Sequence, residues 1–241
     1  MFIKSAVLTV FLAPISAFAQ LEDPSIPLGL EATQAPALKV EKPKKESSGK
    51  KSGAAEVERA LAAYRKAAAV QARLKKTVSN EIMGNSDVSE GRFYFSKGRL
   101  RMDIEKPEKS LLVYDGKSIW LESHLDDQHI QVSRLKSGPL KRTDSLMAAL
   151  FDKKDVLKQF RLIKSGKDGD RRVYAFEPKE KKKTEVRFLE VALLETDIQR
   201  ITYKDQMENS VTFEFSDIRQ DQVPSEKFAY KPPKNASVNE L

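Results

Sequence analysis

Between residues 91 and 121 apolar side chains fall on alternate positions. Phe93 and Phe95 alternate with Arg92, Tyr94 and Ser96, and Leu100, Met102 and Ile104 alternate with Arg99, Arg101, Asp103 and Glu105. A period of two sets one face against apolar matter and the other against water, which predicts antiparallel strands. Lys97-Gly98 marks a turn between the first two runs, and Pro107, which has no N–H for a ladder, ends the second. A third run covers 110–114. Asp115-Gly116 then predicts a hairpin through a type I′ turn, whose two central residues both need positive φ. The return strand, 117–121, carries the single tryptophan, Trp120. These runs predict a long meander with one apolar face.

The rest of the chain extends this pattern. Residues 54–76 read as an amphipathic helix, with a stripe at Val57, Leu61, Tyr64, Ala68 and Leu74, and with Arg65-Lys66 facing water. Strands are expected at 77–83 and 128–135, the latter with Ile130 and Val132 on one face. Thr143 is a candidate N-cap for a helix over 144–151 whose apolar face is Leu146, Met147, Leu150 and Phe151. A second short helix is expected within 152–160. Strands resume at 161–165, 171–176, 184–191, 197–203 and 210–215, where Phe213 and Phe215 again alternate with Thr212 and Glu214. The expectation is a mainly β chain of about ten strands, with one long helix before them and one or two short helices in the middle.

Composition adds a polar leader to this picture. The 241 residues have no cysteine, two histidines and a net charge of +8. Residues 6–18 are apolar behind Lys4, and Ala17-Phe18-Ala19 places small residues where a signal peptidase reads, so residues 1–19 are expected to be a secretory signal peptide cut after Ala19. Residues 20–53 are rich in Pro, Lys, Glu, Ser and Ala and are expected to be a disordered linker. Its lysine run has two readings, an electrostatic tether to anionic lipid head groups or a solvated spacer. The folded domain is expected over 54–241. Without cysteine no disulfide supports the fold, and no lipidated cysteine follows the signal peptide.

Enzyme signatures are missing: no G-x-S-x-G, H-E-x-x-H, G-x-G-x-x-G or P-loop is present. His124 and His129 flank a turn with Asp126-Asp127, either as exposed turn residues or, with a further ligand, as a metal site; the first reading is carried forward, with no metal and no cofactor. Basic residues alternate with acidic ones and form no focused stripe for nucleic acid. The more informative feature is a surplus of apolar strand residues. A curved sheet with helices over its mouth encloses either an apolar cavity suited to acyl chains or an ordinary filled core, and periodicity alone does not separate the two.

Four segments, covering about residues 55–238, carry a family resemblance. They are the export signal followed by an amphipathic helix and a strand; Gly91-Arg92-Phe93-Tyr94-Phe95 leading to Arg99-Leu100-Arg101-Met102; Ser110-Leu111-Leu112-Val113-Tyr114-Asp115-Gly116-Lys117-Ser118-Ile119-Trp120, similar to an S-x-L-V-x-D-G-K-x-x-W hairpin; and Phe213-Glu214-Phe215 followed by Phe228-Ala229-Tyr230-Lys231-Pro232-Pro233. Together they resemble the outer-membrane lipoprotein carrier (LolA) family of periplasmic chaperones. The resemblance implies an α+β fold, an incomplete antiparallel β-barrel of about ten to eleven strands covered by the N-terminal helix and one or two lid helices. It implies a soluble, monomeric periplasmic carrier that makes and breaks no bond. Its expected partners are acylated lipoproteins, an inner-membrane lipoprotein-releasing ABC transporter and an outer-membrane acceptor lipoprotein; nucleic acid is not among them.

On that reading Phe93, Phe95, Leu100, Met102, Ile104, Leu112, Trp120, Ile130, Val132, Phe213 and Phe215 line the acyl cavity, while Leu146, Met147, Leu150 and Phe151 belong to the lid. Alternation does not say which sheet face is concave. Family members tie the lid with a strand arginine in the turn after the G-x-aromatic run, which here makes Lys97 and Arg99 the latch candidates. A second reading is a lipid- or lipoprotein-sensing module of the same fold without a transfer role; a third, weaker one is a hydrolase.

Overall fold

The computed structural model describes residues 48–80, 82–124, 126, 129–136, 144–152, 155–181 and 184–240. The expected signal peptide, most of the expected linker and the Thr143 cap lie outside the described residues. Helix α1 (Ser48–Lys66) precedes β1 (Val70–Asn80), β2 (Asn85–Ser96), β3 (Arg99–Lys106), β4 (Ser110–Tyr114), β5 (Ser118–His124) and β6 (Ile130–Lys136). Helix α2 (Asp144–Asp152) and a 3₁₀ turn (Val156–Gln159) follow, then β7 (Phe160–Asp168), β8 (Arg171–Pro178), β9 (Phe188–Leu194), β10 (Asp197–Lys204) and β11 (Asn209–Arg219). A second 3₁₀ turn (Ser225–Phe228) and β12 (Ala236–Glu240) end the described chain.

The strands form one sheet in the order β12-β6-β5-β4-β3-β2-β1-β11-β10-β9-β8-β7. Its edges, β12 and β7, do not pair, so the barrel is incomplete. Neighbours are antiparallel except β12, which runs parallel to β6. The two meanders join where β1 pairs on one side with β2 and on the other with β11. The described residues carry twelve strands rather than the ten to eleven expected. The additional one, β12, is a short and mostly polar strand that the alternation pattern does not mark.

The first helix differs from its expected span at both ends. It starts at Ser48, inside the segment expected to be a linker. Gly53 lies against Tyr174 and Leu162, where a Cβ would come within 3.0 Å of both side chains, so this turn can approach β7 and β8 closely. The helix stops at Lys66, ten residues early. Leu74 sits at helical spacing from the stripe, but residues 70–75 also alternate, and two flanking strands compete for them. The pairing of β1 with β2 and β11 overrides the alanine-rich helix propensity. Ser96 Oγ donates to the Ala68 carbonyl (2.8 Å) at the bend between the two elements.

Turn chemistry is also redistributed. The type I′ signature, two successive positive φ angles, occurs at Lys97 (48°) and Gly98 (76°). In the β4–β5 turn only Gly116 (95°) is left-handed. There Asp115 Oδ1 accepts from the N–H groups of Lys117 (2.7 Å) and Ser118 (2.8 Å), and the Trp120 indole donates to Oδ2 (3.2 Å). The aspartate closes this turn with its side chain, a common alternative to a second left-handed residue.

Each meander buries its inner face. Val70, Ala72 and Leu74 of β1 meet Phe93 and Phe95 of β2, Leu100 and Met102 of β3, Tyr114 of β4, Ile119 and Leu121 of β5 and Leu135 of β6 in one cluster. The second meander contributes Phe176, Leu189, Val191, Ile201, Phe213 and Phe215 to the same cluster, and α1 contributes Val57, Ala60, Leu61 and Tyr64. A smaller apolar layer lies on the opposite face of β2–β6, beneath the C-terminal segment. Phe228 and Val132 are buried there, the Lys227 ammonium stands 4.6 Å from the Tyr94 ring centroid, and the Arg134 guanidinium stacks on Trp120 at 4.9 Å. Trp120 also packs on Tyr230, whose hydroxyl donates to Glu122 (2.5 Å).

Two outcomes test these assignments. A Cβ at Gly91 would overlap the carbonyl oxygen of Asp103 at the β2–β3 bulge, so Gly91→Ala should lower stability by about 1–3 kcal/mol in urea unfolding. Burial alone would raise the Asp115 carboxyl, but the Ser118 and Lys117 N–H groups, the Trp120 indole and the Arg134 charge outweigh it and hold the carboxyl below its ordinary value. A depressed carboxyl stabilises the fold above its unfolded pKa and loses that contribution as pH falls through the folded one. Asp115→Asn should therefore be less stable than the parent at neutral pH, with the gap closing in strong acid in a urea titration repeated across pH.

Candidate functional site

The site is the inner face of the sheet beneath α2. A helix apolar on all sides needs surroundings that are apolar on all sides. In α2 the successive residues Leu146, Met147, Ala148, Ala149, Leu150 and Phe151 are each at most 5 % exposed. The helix therefore sits in the mouth of the half-barrel as a plug rather than resting on its rim. Phe151 makes its aromatic contacts. Its ring centroid lies 5.2 Å from Phe93, 5.6 Å from Phe95 and 5.6 Å from Tyr64, and Phe93 in turn meets Phe215 edge-on at 5.0 Å. Such tilted pairs suit aromatic quadrupoles and contribute beyond their buried area. The gap left among Tyr64, Val70, Ala72, Phe93, Phe151 and Phe215 has no room for a water molecule. With α2 in place the inner face around Phe151 is closely packed among the described residues.

Polar ties on α2 among the described residues lie at its C-terminal end. Arg65 on α1 donates from Nη1 to the Leu150 carbonyl (3.2 Å) and pairs with Glu58. Tyr114 on β4 donates to Asp152 Oδ2 (2.9 Å). Gly98 has a positive φ (76°), and Asp152 Oδ1 lies 2.6 Å from where its Cβ would stand, so a larger residue at that turn would displace the Asp152 carboxylate. The Tyr64 hydroxyl accepts from the Ile198 N–H (3.3 Å), and burial, followed by the nearby Asp197 charge, pushes its pKa upward. The hydroxyls of Tyr64 and Tyr114 are thus engaged. The inner face around α2 offers a ligand chiefly aliphatic and aromatic contact.

Of the residues expected to line a cavity, Phe93, Phe95, Leu100, Met102, Ile104, Leu112, Phe213 and Phe215 share the inner face. Leu146, Met147, Leu150 and Phe151 meet them from α2. Trp120, Ile130 and Val132 do not. In β5 and β6 the inward residues are Ile119, Leu121 and Leu135, and the register Trp120–Arg134, Glu122–Val132 and His124–Ile130 puts the three on the opposite face. On β6 the inward positions are Gln131, Ser133 and Leu135, so alternation picks out Ile130 and Val132, which are apolar because the C-terminal segment covers the outer face. Lys97 is exposed at its turn. Arg99 lies beside the C-terminal segment, its guanidinium carbon 5.0 Å from the Phe228 ring centroid. Among the described residues, the polar side chains that hydrogen-bond to α2 are Arg65, through the Leu150 carbonyl, and Tyr114, through Asp152. Sequence reading assigned Arg65 to solvent; its position next to Tyr64, at the border of the buried stripe, is the one signal that separates it from an ordinary surface arginine. His124 pairs with Glu122 (2.8 Å) and His129 with Asp126 (2.7 Å).

Residues 65–231 match the family described as outer membrane lipoprotein carrier protein LolA. The chain is 28% identical over 171 residues, 70% of this chain and 80% of the relative, to an outer-membrane lipoprotein carrier protein of Chromobacterium violaceum. It is 29% identical over 171 residues, 70% of this chain and 81% of the relative, to the protein of the same description from Nitrosospira multiformis. A solved LolA-superfamily protein of Nitrosomonas europaea aligns with 73% of this chain and 96% of its own, at 11% identity and a TM-score of 0.43.

The ties on α2 are separable from its packing. Tyr114→Phe keeps the ring and removes the hydroxyl that bonds Asp152 (2.9 Å) and lies 3.2 Å from the Gly116 carbonyl; it should cost about 1 kcal/mol in urea unfolding. It should also speed the uptake of a long-chain fluorescent fatty acid followed by stopped flow. A loss of stability with unchanged uptake would mean that this bond does not restrain α2.

Proposed function

The chain belongs to the outer membrane lipoprotein carrier protein LolA family, and we propose that it carries lipoproteins by sheltering their acyl chains on the inner sheet face now occupied by α2. The observation that carries this reading is Phe151, an aromatic plug held by other aromatic groups over a surface with little polar selectivity. An acyl chain asks the same surface for the same thing. Burying a methylene is worth about 0.8 kcal/mol, so a long chain supplies on the order of 10 kcal/mol before ordering costs. The displaced helix gives up burial of the same kind, about 1.5–3 kcal/mol for each of Leu146, Met147, Leu150 and Phe151 and about 1 kcal/mol for each tertiary hydrogen bond, so helix and chain are rivals of comparable strength. The carrier makes and breaks no bond; transfer is an exchange of apolar partners, with α2 and the acyl chain competing for one site.

The lining set supported by the geometry is Phe93, Phe95, Leu100, Met102, Ile104, Leu112, Phe213 and Phe215, with Leu146, Met147, Leu150 and Phe151 as the displaceable group. Arg65 and Tyr114 are the proposed restraints on it. In this account the protein is exported, working as a periplasmic monomer. It receives lipoproteins from an inner-membrane releasing ABC transporter and hands them to an acceptor lipoprotein of the outer membrane.

Mass spectrometry of the protein purified from its native periplasm tests the reading. Near-stoichiometric acylated lipoprotein supports a carrier. A protein that emerges without lipid, and that strips no lipoprotein from inner-membrane vesicles, contradicts it and favours a sensing or interaction module. The plug itself is tested by Phe151→Ala. Removing a buried phenylalanine should cost about 3–5 kcal/mol of stability. By enlarging the population of the open site, it should tighten long-chain fatty acid binding, by about tenfold for each 1.4 kcal/mol of bias toward the open form. Weaker binding by the variant would show that Phe151 is a wall of the site and not its competitor.

A further inference from the structure

The three most exposed large apolar side chains among the described residues lie on two neighbouring turns. Ile82 is 78% exposed and Met83 61% in the β1–β2 turn, and Met207 is 68% exposed in the β10–β11 turn. β1 pairs with β11 through Asn80–Asn209 and with β2 through Asn80–Asn85, so both tips emerge at one end of the sheet. Asn80 joins them: its Nδ2 donates to the Asn209 side chain (2.7 Å) and the Met207 carbonyl (3.4 Å), while its Oδ1 accepts from the N–H groups of Ile82 (3.0 Å) and Met83 (2.9 Å). The β2–β3 ladder ends at Glu90–Lys106. Residues 85–89 therefore carry the β1–β2 hairpin beyond β3, by about 17 Å at 3.3 Å per residue.

We propose that these tips are a bilayer-contacting wedge through which the acyl site communicates with a lipid membrane. Two observations favour lipid over a protein partner. First, five backbone donors at the tips are satisfied within the chain. Besides Ile82 and Met83, Gly84 N–H bonds the Asn80 carbonyl (2.9 Å), and those of Met207 (2.8 Å) and Asn209 (2.9 Å) bond Asp205 Oδ1. A tip built this way can enter an apolar phase without leaving those amides unpaired, the requirement that hydrocarbon imposes and that a hydrated protein interface does not. Second, the inner wall leads there. Phe215, Phe213 and Val211 on β11 and their partners Ile201 and Tyr203 on β10 run from the Phe151 cage toward the tips, while β1 adds Leu74 and Val78 with Lys76 between them, opposite Phe213. An acyl chain moving along β10 and β11 would meet apolar surface between the cage and the membrane, with the Lys76 ammonium at its border. The inference rests on the carrier reading for its purpose, but not for its test.

The cysteine-free chain allows single labels. Met83→Cys, Met207→Cys and, as a control at the opposite end of the sheet, Lys117→Cys are each coupled to an environment-sensitive fluorophore in the full chain. They are then mixed with protein-free phosphatidylcholine vesicles, with and without phosphatidylglycerol. The wedge predicts a blue shift and an emission gain of about twofold or more at 83 and 207, with none at 117. It also predicts that Ile82→Ser/Met83→Ser/Met207→Ser abolishes vesicle co-flotation while leaving long-chain fatty acid binding in solution intact. No spectral change at 83 and 207, or an equal change at all three positions, overturns the wedge. If the tips insert while fatty acid binding is absent, the wedge stands and the carrier reading falls; intact binding without insertion is the converse.

Discussion

The burial of α2 against the inner sheet face is the interaction on which the rest of the structure depends. An incomplete barrel exposes an apolar surface that water penalises, and something apolar must cover it. Here the cover comes from within the chain, with Phe151 placed where β2, β11 and α1 converge. α1 fixes one side of this contact through Tyr64 and Arg65. β4 fixes the other through Tyr114. The absence of a Cβ at Gly98 lets the end of α2 reach Tyr114. The same surplus of apolar surface that makes α2 necessary makes it replaceable, because dispersion and hydrophobic contact do not distinguish a phenylalanine ring from a hydrocarbon chain as hydrogen bonds would.

The outer face works by the opposite logic. The C-terminal segment is held across β2–β6 by specific pairs: Lys227 on Tyr94 and Asp103, Arg101 on the Lys227 carbonyl, Tyr230 on Glu122, and Arg134 stacked on Trp120. Burial, followed by the hydrogen bond to Glu122, raises the Tyr230 pKa, so this hydroxyl remains a donor across the physiological range. A covering segment with this many directional contacts has no equivalent competitor. One face of the sheet is thus fastened by directional contacts and the other is covered by a helix held chiefly by apolar contact; in the proposed function that helix gives way to an acyl chain while the sheet stays intact.

Much of this was legible in the chain itself. Phe93, Phe95, Leu100 and Met102 were readable as one face because their partner positions are polar on the other. Residues 146–151 were readable as buried because nothing in them favours water. Trp120, Ile130 and Val132 were not, since the C-terminal segment that carries Phe228 and Tyr230 covers the outer face and gives these outward positions an apolar partner of their own. Leu74 suited both a helix stripe and a strand face, and only its partners Gly91 and Phe215 decide between them. Arg65 and Tyr114 were missed as restraints on α2 because their partners, a backbone carbonyl and a side chain distant in sequence, leave no periodic trace. β12 gave little signal because a short polar strand at an edge has no buried face to mark it.

The central claim is that α2 and an acyl chain compete for one surface. Native-state hydrogen exchange of the free and lipoprotein-loaded protein tests it most directly. The account predicts that in the free protein the α2 amides open at a free energy well below that of β1 and β2, and that loading removes their remaining protection while the sheet amides stay protected. Protection of α2 that matches the sheet in the free protein and survives loading would contradict it, because the acyl chain would then be held somewhere other than beneath Phe151.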